Sequence, residues 1–298
     1  MNDSLLIIVN GKYTRSCQEK LNVSFGRLQR AKIPFKVIET QYAGHASKLA
    51  RDGFRTGYRK FVSAGGDGTS YEIVNGLFPL AKDTPVSLGF LPLGTGNSFI
   101  RDFTDQKERY TIEAIIRGRK KKIDIALLEN NENSTYFINI LSMGFVARVG
   151  RFRNRAFSGL GSLGYKAAVL IKAVGQKTFP LDFKCDQEVS HWNKESMFVS
   201  FSNSKFTGGN MMIAPHANLE DGKIDITAAY PMKTEELLSA FPEIYKGTHI
   251  SHQKIKCAQS SFITFQNAQK QPMMIDGEII EASPKSVRVF PKALEVLL

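Results

Sequence analysis

The chain has 298 residues, 42% hydrophobic and 23% charged, which is typical of a folded globular protein and excludes disordered, collagen-like and disulfide-scaffold sequences. The 40 Lys and Arg outnumber the 28 Asp and Glu, so the formal charge of +12 predicts an anionic partner: nucleic acid, a membrane surface or a small molecule. The three cysteines have no metal-ligand spacing and favour a reducing, cytoplasmic setting, and no apolar run is long enough to predict a membrane span.

Strands and helices alternate through the first 125 residues. Buried-type strands are predicted at Leu5–Val9, Phe35–Glu39, Phe61–Ala64 and Ser87–Leu91. Apolar residues at helical spacing predict helices between them, the third of them over Tyr71–Leu77. This alternation predicts a Rossmann-like parallel sheet with helices on both faces, in which ligands bind beyond the carboxyl ends of the strands.

The pattern changes after residue 122, where strands follow one another with short connections. The predicted strands are Lys122–Leu128, Thr135–Leu141, Leu181–Cys185, Met197–Ser202, Lys223–Tyr230, Ser261–Gln266 and Val287–Pro291. Helices are predicted only near Leu160–Val174 and Thr234–Tyr245. We therefore expect a nucleotide-binding α/β domain over residues 1–125 and a C-terminal antiparallel β-sandwich over residues 126–286, with residues 287–298 packing back on the first domain.

Two glycine-rich turns follow neighbouring predicted strands. Gly65-Gly66-Asp67-Gly68-Thr69 stands between a strand and a helix, where glycines and a helix N-terminus suit a phosphate group. Thr69 and Glu72 have the spacing of an N-cap and its capping-box partner. The second turn is Pro92-Leu93-Gly94-Thr95-Gly96-Asn97. Neither turn matches the dinucleotide or Walker pattern, and a tight turn with a helix cap is the simpler alternative.

Together these turns resemble those of the bacterial diacylglycerol kinase-like lipid kinases, a family that includes sphingosine and ceramide kinases and is distantly related to NAD kinases. The resemblance extends along nearly the whole chain, through Thr40 with Gly44-His45-Ala46, Asn75-Gly76-Leu77, Gly208-Gly209, Ala214-Pro215, Asp221-Gly222 and Asp276-Gly277-Glu278. Gly-Gly-Asp-Gly-Thr alone is shared with NAD kinases, whereas the later motifs are more specific to the lipid branch. By itself, Asp276-Gly277-Glu278 is more typical of a hairpin turn.

The resemblance implies phosphorylation of a lipid hydroxyl that uses ATP and Mg²⁺, in phospholipid metabolism, with the nucleotide between the two domains. The nucleotide-binding residues that it implies are Asn10, Thr40, Gly66, Asp67, Gly68, Thr69, Ser70, Tyr71, Glu72 and Thr95. Asp67 and Asp276 are rival general bases, and Glu278 is either a base or a metal ligand. A structural Mg²⁺ is implied at the carboxylate of Asp221 and the main-chain oxygens of Asn218 and Lys223, although Ser98 replaces an Asp that links this metal to the nucleotide in many members.

The partner is expected to be a lipid at an anionic membrane surface. The stretch from Arg148 to Lys172 contains no acid and mixes cations with apolar side chains, as at a lipid headgroup boundary. We call four of its cations the arginine quartet: Arg148, Arg151, Arg153 and Arg155. Sphingosine-type kinases carry acids at the start of this stretch, so we expect a neutral or anionic lipid such as diacylglycerol or a glycerophospholipid.

Several alternatives remain open from the sequence. They are a sphingoid-base or other lipid kinase, a kinase of a soluble substrate such as NAD, and a lipid-binding regulator without activity. No recognition motif supports nucleic-acid binding. The expected location is the cytoplasm with peripheral membrane contact, and the oligomeric state is open, a homodimer included.

Overall fold

The structure, a computed structural model, describes residues 2–81, 84–94, 96–105, 107–145, 147, 177–186, 191–266 and 269–298. The chain divides into two compact units, one formed by residues 1–125 with 291–298 and the other by residues 126–290. Within the described ranges, none of the helices has both the length and the apolar character needed to cross a bilayer.

The first unit is built on five parallel strands in the order β2-β1-β3-β4-β18. These strands are β1 Asn2–Val9, β2 Phe35–Glu39, β3 Tyr58–Gly65, β4 Ser87–Pro92 and the end of β18 Pro284–Leu297. Its helices are α1 Gly11–Thr14, α2 Gln18–Arg30, α3 His45–Arg55, α4 Asp67–Leu77 and α5 Lys107–Arg117, with a 3-10 helix at Phe99–Asp102. Glu295–Leu297 of β18 pairs in parallel with Ser87–Gly89 of β4, so the end of the chain completes this sheet.

Alternate residues of each strand point to opposite faces of the parallel sheet, and both faces carry apolar side chains. Helices therefore cover both faces. Leu5, Ile7 and Val9 of β1 pack in one cluster with buried residues of α2 and α5. On the other face, Gly53 of α3 lies directly against the side chains of Leu6 and Phe61. A strand that is buried on both faces is a continuous apolar run, which is how β1 reads in the sequence.

The second unit is antiparallel. Its strands are β5 Lys121–Asn130 (from residue 126), β6 Ser134–Phe137, β7 Ile140–Gly144, β8 Phe179–Cys185, β9 His191–Ser196, β10 Phe198–Ser202, β11 Phe206–Thr207, β12 Met211–Met212, β13 Ile224–Ala229, β14 Ile255–Ser260, β15 Phe262–Phe265, β16 Gln271–Ile275, β17 Glu278–Ala282 and the first half of β18. One six-stranded sheet runs β14-β13-β10-β7-β16-β17, and β18, β15, β8 and β9 pair side by side in another layer. Helix α6 spans Thr234–Ala240, and 3-10 helices follow at Phe241–Tyr245 and Thr248–Ser251.

Aromatic side chains join the two layers of the second unit. Phe201 of β10 contacts Phe183 of β8 and Phe265 of β15, with ring centroids 5.4 Å apart in both pairs. The opposite face of the six-stranded sheet carries Ile140, Phe198 and Ala229, which cluster with buried residues outside the sheet such as Met232 and Leu237. Strand alternation therefore gives this sheet two buried faces, one toward the other layer and one toward α6 and its neighbours.

The predicted fold class, a Rossmann-like parallel domain followed by an antiparallel β-sandwich, is confirmed. Two local predictions are wrong. Thr135–Leu141 forms two strands with a break at residues 138–139, and Thr69 is not an N-cap because α4 already begins at Asp67 after Gly66. The predicted helix over Leu160–Val174 lies outside the described residues.

Candidate active site

The two glycine-rich turns meet at the carboxyl ends of β3 and β4. The carbonyl oxygen of Gly65 accepts hydrogen bonds from the backbone N–H groups of Leu93 (2.9 Å) and Gly94 (3.3 Å). A Cβ on Gly94 would lie only 2.7 Å from Cα of Gly66, so a side chain there has no room unless the backbone moves. Glycine is required because the two backbones touch, and the contact brings both motifs to one edge of the sheet.

The end of β1 joins this edge through Asn10. Its Nδ2 donates to the Thr69 hydroxyl oxygen at 2.9 Å, and its Oδ1 accepts the backbone N–H of Lys12 at the start of α1. Thr69 is 3% exposed, so its hydroxyl is used inside the protein and ties α4 to β1. Asn10 and Thr69 are thus neighbours in the fold, as expected for residues of one rim.

Thr40 brings the end of β2 to the same rim. Its hydroxyl oxygen accepts the backbone N–H of Gly11 at 3.1 Å, and its own N–H donates to the carbonyl of Val9. A Cβ on Gly11 would lie 2.3 Å from the Thr40 carbonyl oxygen, so this position also needs glycine. Four consecutive strand ends therefore converge, as the rule for parallel sheets predicts.

The N-terminus of α4 faces this rim without a side-chain cap. Gly66 is the N-cap residue, and its carbonyl accepts the N–H groups of Thr69 and Ser70. Asp67, in the first turn, accepts the backbone N–H of Ser98 at 3.0 Å through Oδ2. A helix of eleven residues that begins in a glycine turn offers N–H groups and the positive end of its dipole to an anion.

Two residues of the predicted nucleotide set have other contacts. Glu72 accepts the N–H groups of Gly44 (2.8 Å) and Ala46 (3.0 Å), so it caps α3 and not its own helix. The expected capping box with Thr69 is therefore wrong. Ser70 is buried, and its hydroxyl donates to the Ser63 hydroxyl at 2.9 Å. Gly68 and Tyr71 are half-buried in the first turns of α4, whereas Thr95 lies outside the described residues.

The acidic turn of the second unit closes the hairpin between β16 and β17. Asp276 and Gly277 have φ values of 47° and 93°, the left-handed conformation of a tight hairpin turn. The carboxylate of Asp276, 3% exposed, accepts three backbone N–H groups at 2.9–3.0 Å: those of Ile138, Asn139 and Ile140. These bonds explain the break between β6 and β7. Glu278 is exposed, so the turn presents one carboxylate to solvent and holds the other inside.

The residues of the predicted structural metal site lie in one segment before β13. Asp221 Oδ1 accepts the N–H of Lys223 at 3.0 Å, and Asn218 Oδ1 accepts that of Glu220 at 3.2 Å. Burial raises the pKa of nearby Asp225 to about 6; a hydrogen bond from Gln259 opposes this rise, and the charge of Asp221 adds to it. Excess negative charge and oxygen donors fit a hard cation such as Mg²⁺.

That fit is limited to a hydrated ion. In the described ranges, no three side chains of the His, Cys, Asp and Glu types are grouped to hold a metal. Carbonyl oxygens and water would therefore have to complete the coordination around Asp221.

A feature missed in the sequence is an apolar cavity inside the second unit. It lies between β7, β10 and β13 and the α6 region, and its lining includes Phe145, Met197, Phe198, Met232 and Phe241. Its volume of about 60 Å³ is several times the roughly 10–15 Å³ that one water molecule needs. None of its described lining residues is Asp, Glu, Lys or Arg. The arginine quartet, predicted to face lipid, lies outside the described residues.

Comparison with known proteins covers both units. Residues 4–128 match the family model described as the diacylglycerol kinase catalytic domain, and residues 139–298 match the YegS C-terminal NAD kinase beta sandwich-like domain. A Shewanella frigidimarina protein named "Probable lipid kinase YegS-like" is 30% identical over 244 residues, 80% of this chain and 76% of the relative. A Bacillus subtilis diacylglycerol kinase is 27% identical over 242 residues, 80% of this chain and 77% of the relative.

The fold agrees with this comparison. A solved Bacillus anthracis structure assigned to the diacylglycerol kinases superposes with a TM-score of 0.80 at 23% identity, covering 99% of this chain and 96% of that one. This likeness shows the fold, and the family models show the relationship over both units. The chain therefore belongs to the diacylglycerol kinase-like family of lipid kinases, which are phosphotransferases.

Proposed function

We propose that this protein transfers the γ-phosphate of ATP to the hydroxyl group of a glycerol-based lipid that is neutral or anionic, with diacylglycerol as the first candidate. The apolar cavity in the second unit carries the lipid part of this proposal. An apolar cavity favours hydrocarbon over water, whereas the charged phosphates and ribose of a soluble substrate such as NAD would lose their hydration there.

The phosphate-binding part of the proposal rests on the rim of the first unit. The turn from Gly66 to Thr69 would hold the nucleotide phosphates at the N-terminus of α4, and Asn10 and Thr40 would fix the neighbouring strand ends. Bound Mg²⁺ would neutralise part of the phosphate charge. Thr69 contributes by keeping Asn10 in position, because its own hydroxyl is buried.

The three acidic residues receive different roles in this proposal. Asp276 is a positioning residue, because its oxygens accept three backbone N–H groups and thereby hold the hairpin. Glu278 is exposed next to it and is a candidate to accept the proton of the lipid hydroxyl. Asp67 is the other candidate for the proton acceptor. Its position in the first turn of α4 also suits a metal ligand.

Substrate charge is inferred from the sequence. Arg148 and Arg151 stand where sphingosine-type kinases carry acids, so a lipid amine would meet cations of the same sign. We therefore expect sphingosine to be a poor substrate. The basic segment also supports a peripheral encounter with an anionic bilayer, from which the lipid would be taken.

Phosphorylation of a panel of alcohols with labelled ATP tests the proposal. The panel contains diacylglycerol, phosphatidylglycerol, sphingosine and NAD, and each is assayed with wild-type protein, Glu278→Gln and Asp67→Asn. We expect wild-type protein to phosphorylate a glycerol-based lipid. The variant that lacks the proton acceptor should stay folded, and its turnover should be at least about 100-fold lower. Faster turnover of NAD or sphingosine, or no turnover at all, contradicts the proposal.

The structural metal is tested separately. Asp221→Ala should weaken activation by Mg²⁺, because it removes the one carboxylate that the implied ligand set contains. Asn218→Ala serves as the control, because only a main-chain oxygen is expected from that residue. If Asp221→Ala leaves the activation by Mg²⁺ unchanged, the assignment of the metal site to this segment is wrong.

A further inference from the structure

A row of hydroxyl groups crosses the floor of the apolar cavity. Ser142 of β7 is the direct partner of Ser200 of β10, which in turn is the direct partner of Thr227 of β13. Direct partners in antiparallel strands point to the same face, and all three residues line the cavity. Their exposed fractions are 1%, 0% and 2%, so the hydroxyls face the cavity and not solvent.

Within the part of the chain that the structure describes, two of these hydroxyls lack a hydrogen-bond partner. The Thr227 hydroxyl donates to the carbonyl oxygen of Ile213 at 3.3 Å, and Nε2 of His249 contacts the same oxygen at 3.2 Å. Among the described residues, Oγ of Ser142 and Oγ of Ser200 have no hydrogen-bond partner. A buried hydroxyl without a partner is unfavourable, and alanine would satisfy packing and strand pairing equally well at both positions.

The geometry of the pair indicates which chemical group would satisfy it. Cβ atoms of direct partners lie roughly 4.5–5.5 Å apart, so both hydroxyls can reach one oxygen atom between them. A carbonyl oxygen has two lone pairs and accepts two O–H donors, whereas an alkyl chain accepts none. Acyl chains of glycerolipids carry such an oxygen in their ester group.

We propose that Ser142 and Ser200 donate hydrogen bonds to the ester carbonyl oxygen of an acyl chain bound in the cavity, so that the cavity selects ester-linked over ether-linked glycerolipids. This inference rests on the proposed function, because it takes the lipid substrate as the occupant. It adds a specificity-determining pair, on β7 and β10, that accounts for two buried donors.

Binding is measured with two molecules that cannot be phosphorylated, methyl oleate and oleyl methyl ether, by the shift in Tm of the second unit and by equilibrium dialysis. Wild-type protein should bind the ester roughly tenfold more tightly than the ether, the ratio expected for about one net hydrogen bond. The double variant Ser142→Ala/Ser200→Ala should bind both equally, with its affinity for the ether unchanged. If the alanine variant folds poorly, Ser142→Cys/Ser200→Cys replaces it, because cysteine keeps the side-chain volume and is only a weak donor. This variant should also bind the ester and the ether equally.

Ser202→Ala is the matched control. Ser202 is 0% exposed, also lacks a hydrogen-bond partner among the described residues, and lies one row away on the same strand. It does not line the cavity. Its substitution should leave the preference for the ester unchanged.

The kinetic test uses dioleoylglycerol and its chain-matched diether. Three results would overturn the inference. The first is equal binding of ester and ether by wild-type protein, and the second is a Ser202→Ala effect as large as that of the double variant. The third is a crystal structure in which water bridges the two serines beside a bound chain. If methyl oleate binds preferentially but no lipid is phosphorylated, the proposed function fails and the ester site stands. If both glycerolipids are phosphorylated equally, the ester site fails and the proposed function stands.

Discussion

Replacing Asp276 with Asn should destabilise the second unit before it affects any chemistry. The carboxylate is 3% exposed and accepts the backbone N–H groups of Ile138, Asn139 and Ile140. Asparagine keeps one acceptor oxygen, so at least one of these N–H groups would face an amide NH₂ group. The remaining bonds would lose their charge, which roughly halves their strength.

The expected loss follows from these contacts. One hydrogen bond to a buried charged group contributes about 1.5–3 kcal/mol, and the weakening of two others adds about 1 kcal/mol each. The free energy of unfolding should therefore fall by about 3.5–5 kcal/mol, a large part of the roughly 5–15 kcal/mol that stabilises a typical domain. Loss of activity in this variant would thus not identify Asp276 as a general base.

Urea unfolding at pH 7 measures this loss through the fluorescence of Trp192. It is the single tryptophan of the chain, is 4% exposed and stacks on Phe183 at 5.2 Å, so its signal reports the second unit. Glu278→Gln is the control, because an exposed side chain should change stability by less than about 0.5 kcal/mol. An Asp276→Asn protein that unfolds within about 0.5 kcal/mol of wild type would refute the structural role given to this carboxylate.

Three further predictions address the rim, a buried acid and the basic segment. Gly94→Ala puts a Cβ 2.7 Å from Cα of Gly66 and should weaken ATP binding about tenfold or more in a calorimetric titration, whereas Gly26→Ala, whose nearest neighbour is 3.9 Å away, should leave it unchanged. Asp225 has its pKa raised to about 6 from 3.8, so the fold binds this proton more tightly than the unfolded chain and loses stability as the pH rises through about 6. Asp225→Asn should therefore raise the free energy of unfolding in EDTA by up to about 3 kcal/mol at pH 8 and not at pH 4; an equal gain at both pH values would contradict this. Substituting the arginine quartet with glutamine should reduce co-sedimentation with phosphatidylglycerol vesicles at low salt, and unchanged sedimentation would contradict the membrane role.

Much of the fold follows from local pattern. Period-two and period-3.6 spacing identify β1, β3 and their helices because burial on a sheet or helix face repeats at those intervals. The glycine turns were recognisable because glycine, which has no Cβ, is strongly favoured where two backbones touch or where a turn is left-handed. The residues of the rim could therefore be named before their contacts were known, and the structure does bring Asn10, Thr40 and Thr69 together.

The sequence alone determined the fold class, the two glycine turns and the family resemblance, since each depends on residues close together in the chain. Only the tertiary structure decided where individual side chains bond. Glu72 caps α3 across 26–28 residues, and Asp276 binds N–H groups 136–138 residues away. The polar side chains of Ser142, Ser200 and Thr227 are typical of a strand face that points to solvent. They are buried because the α6 region covers that face. Such contacts depend on which elements pack together, which the spacing of residues within one element does not encode.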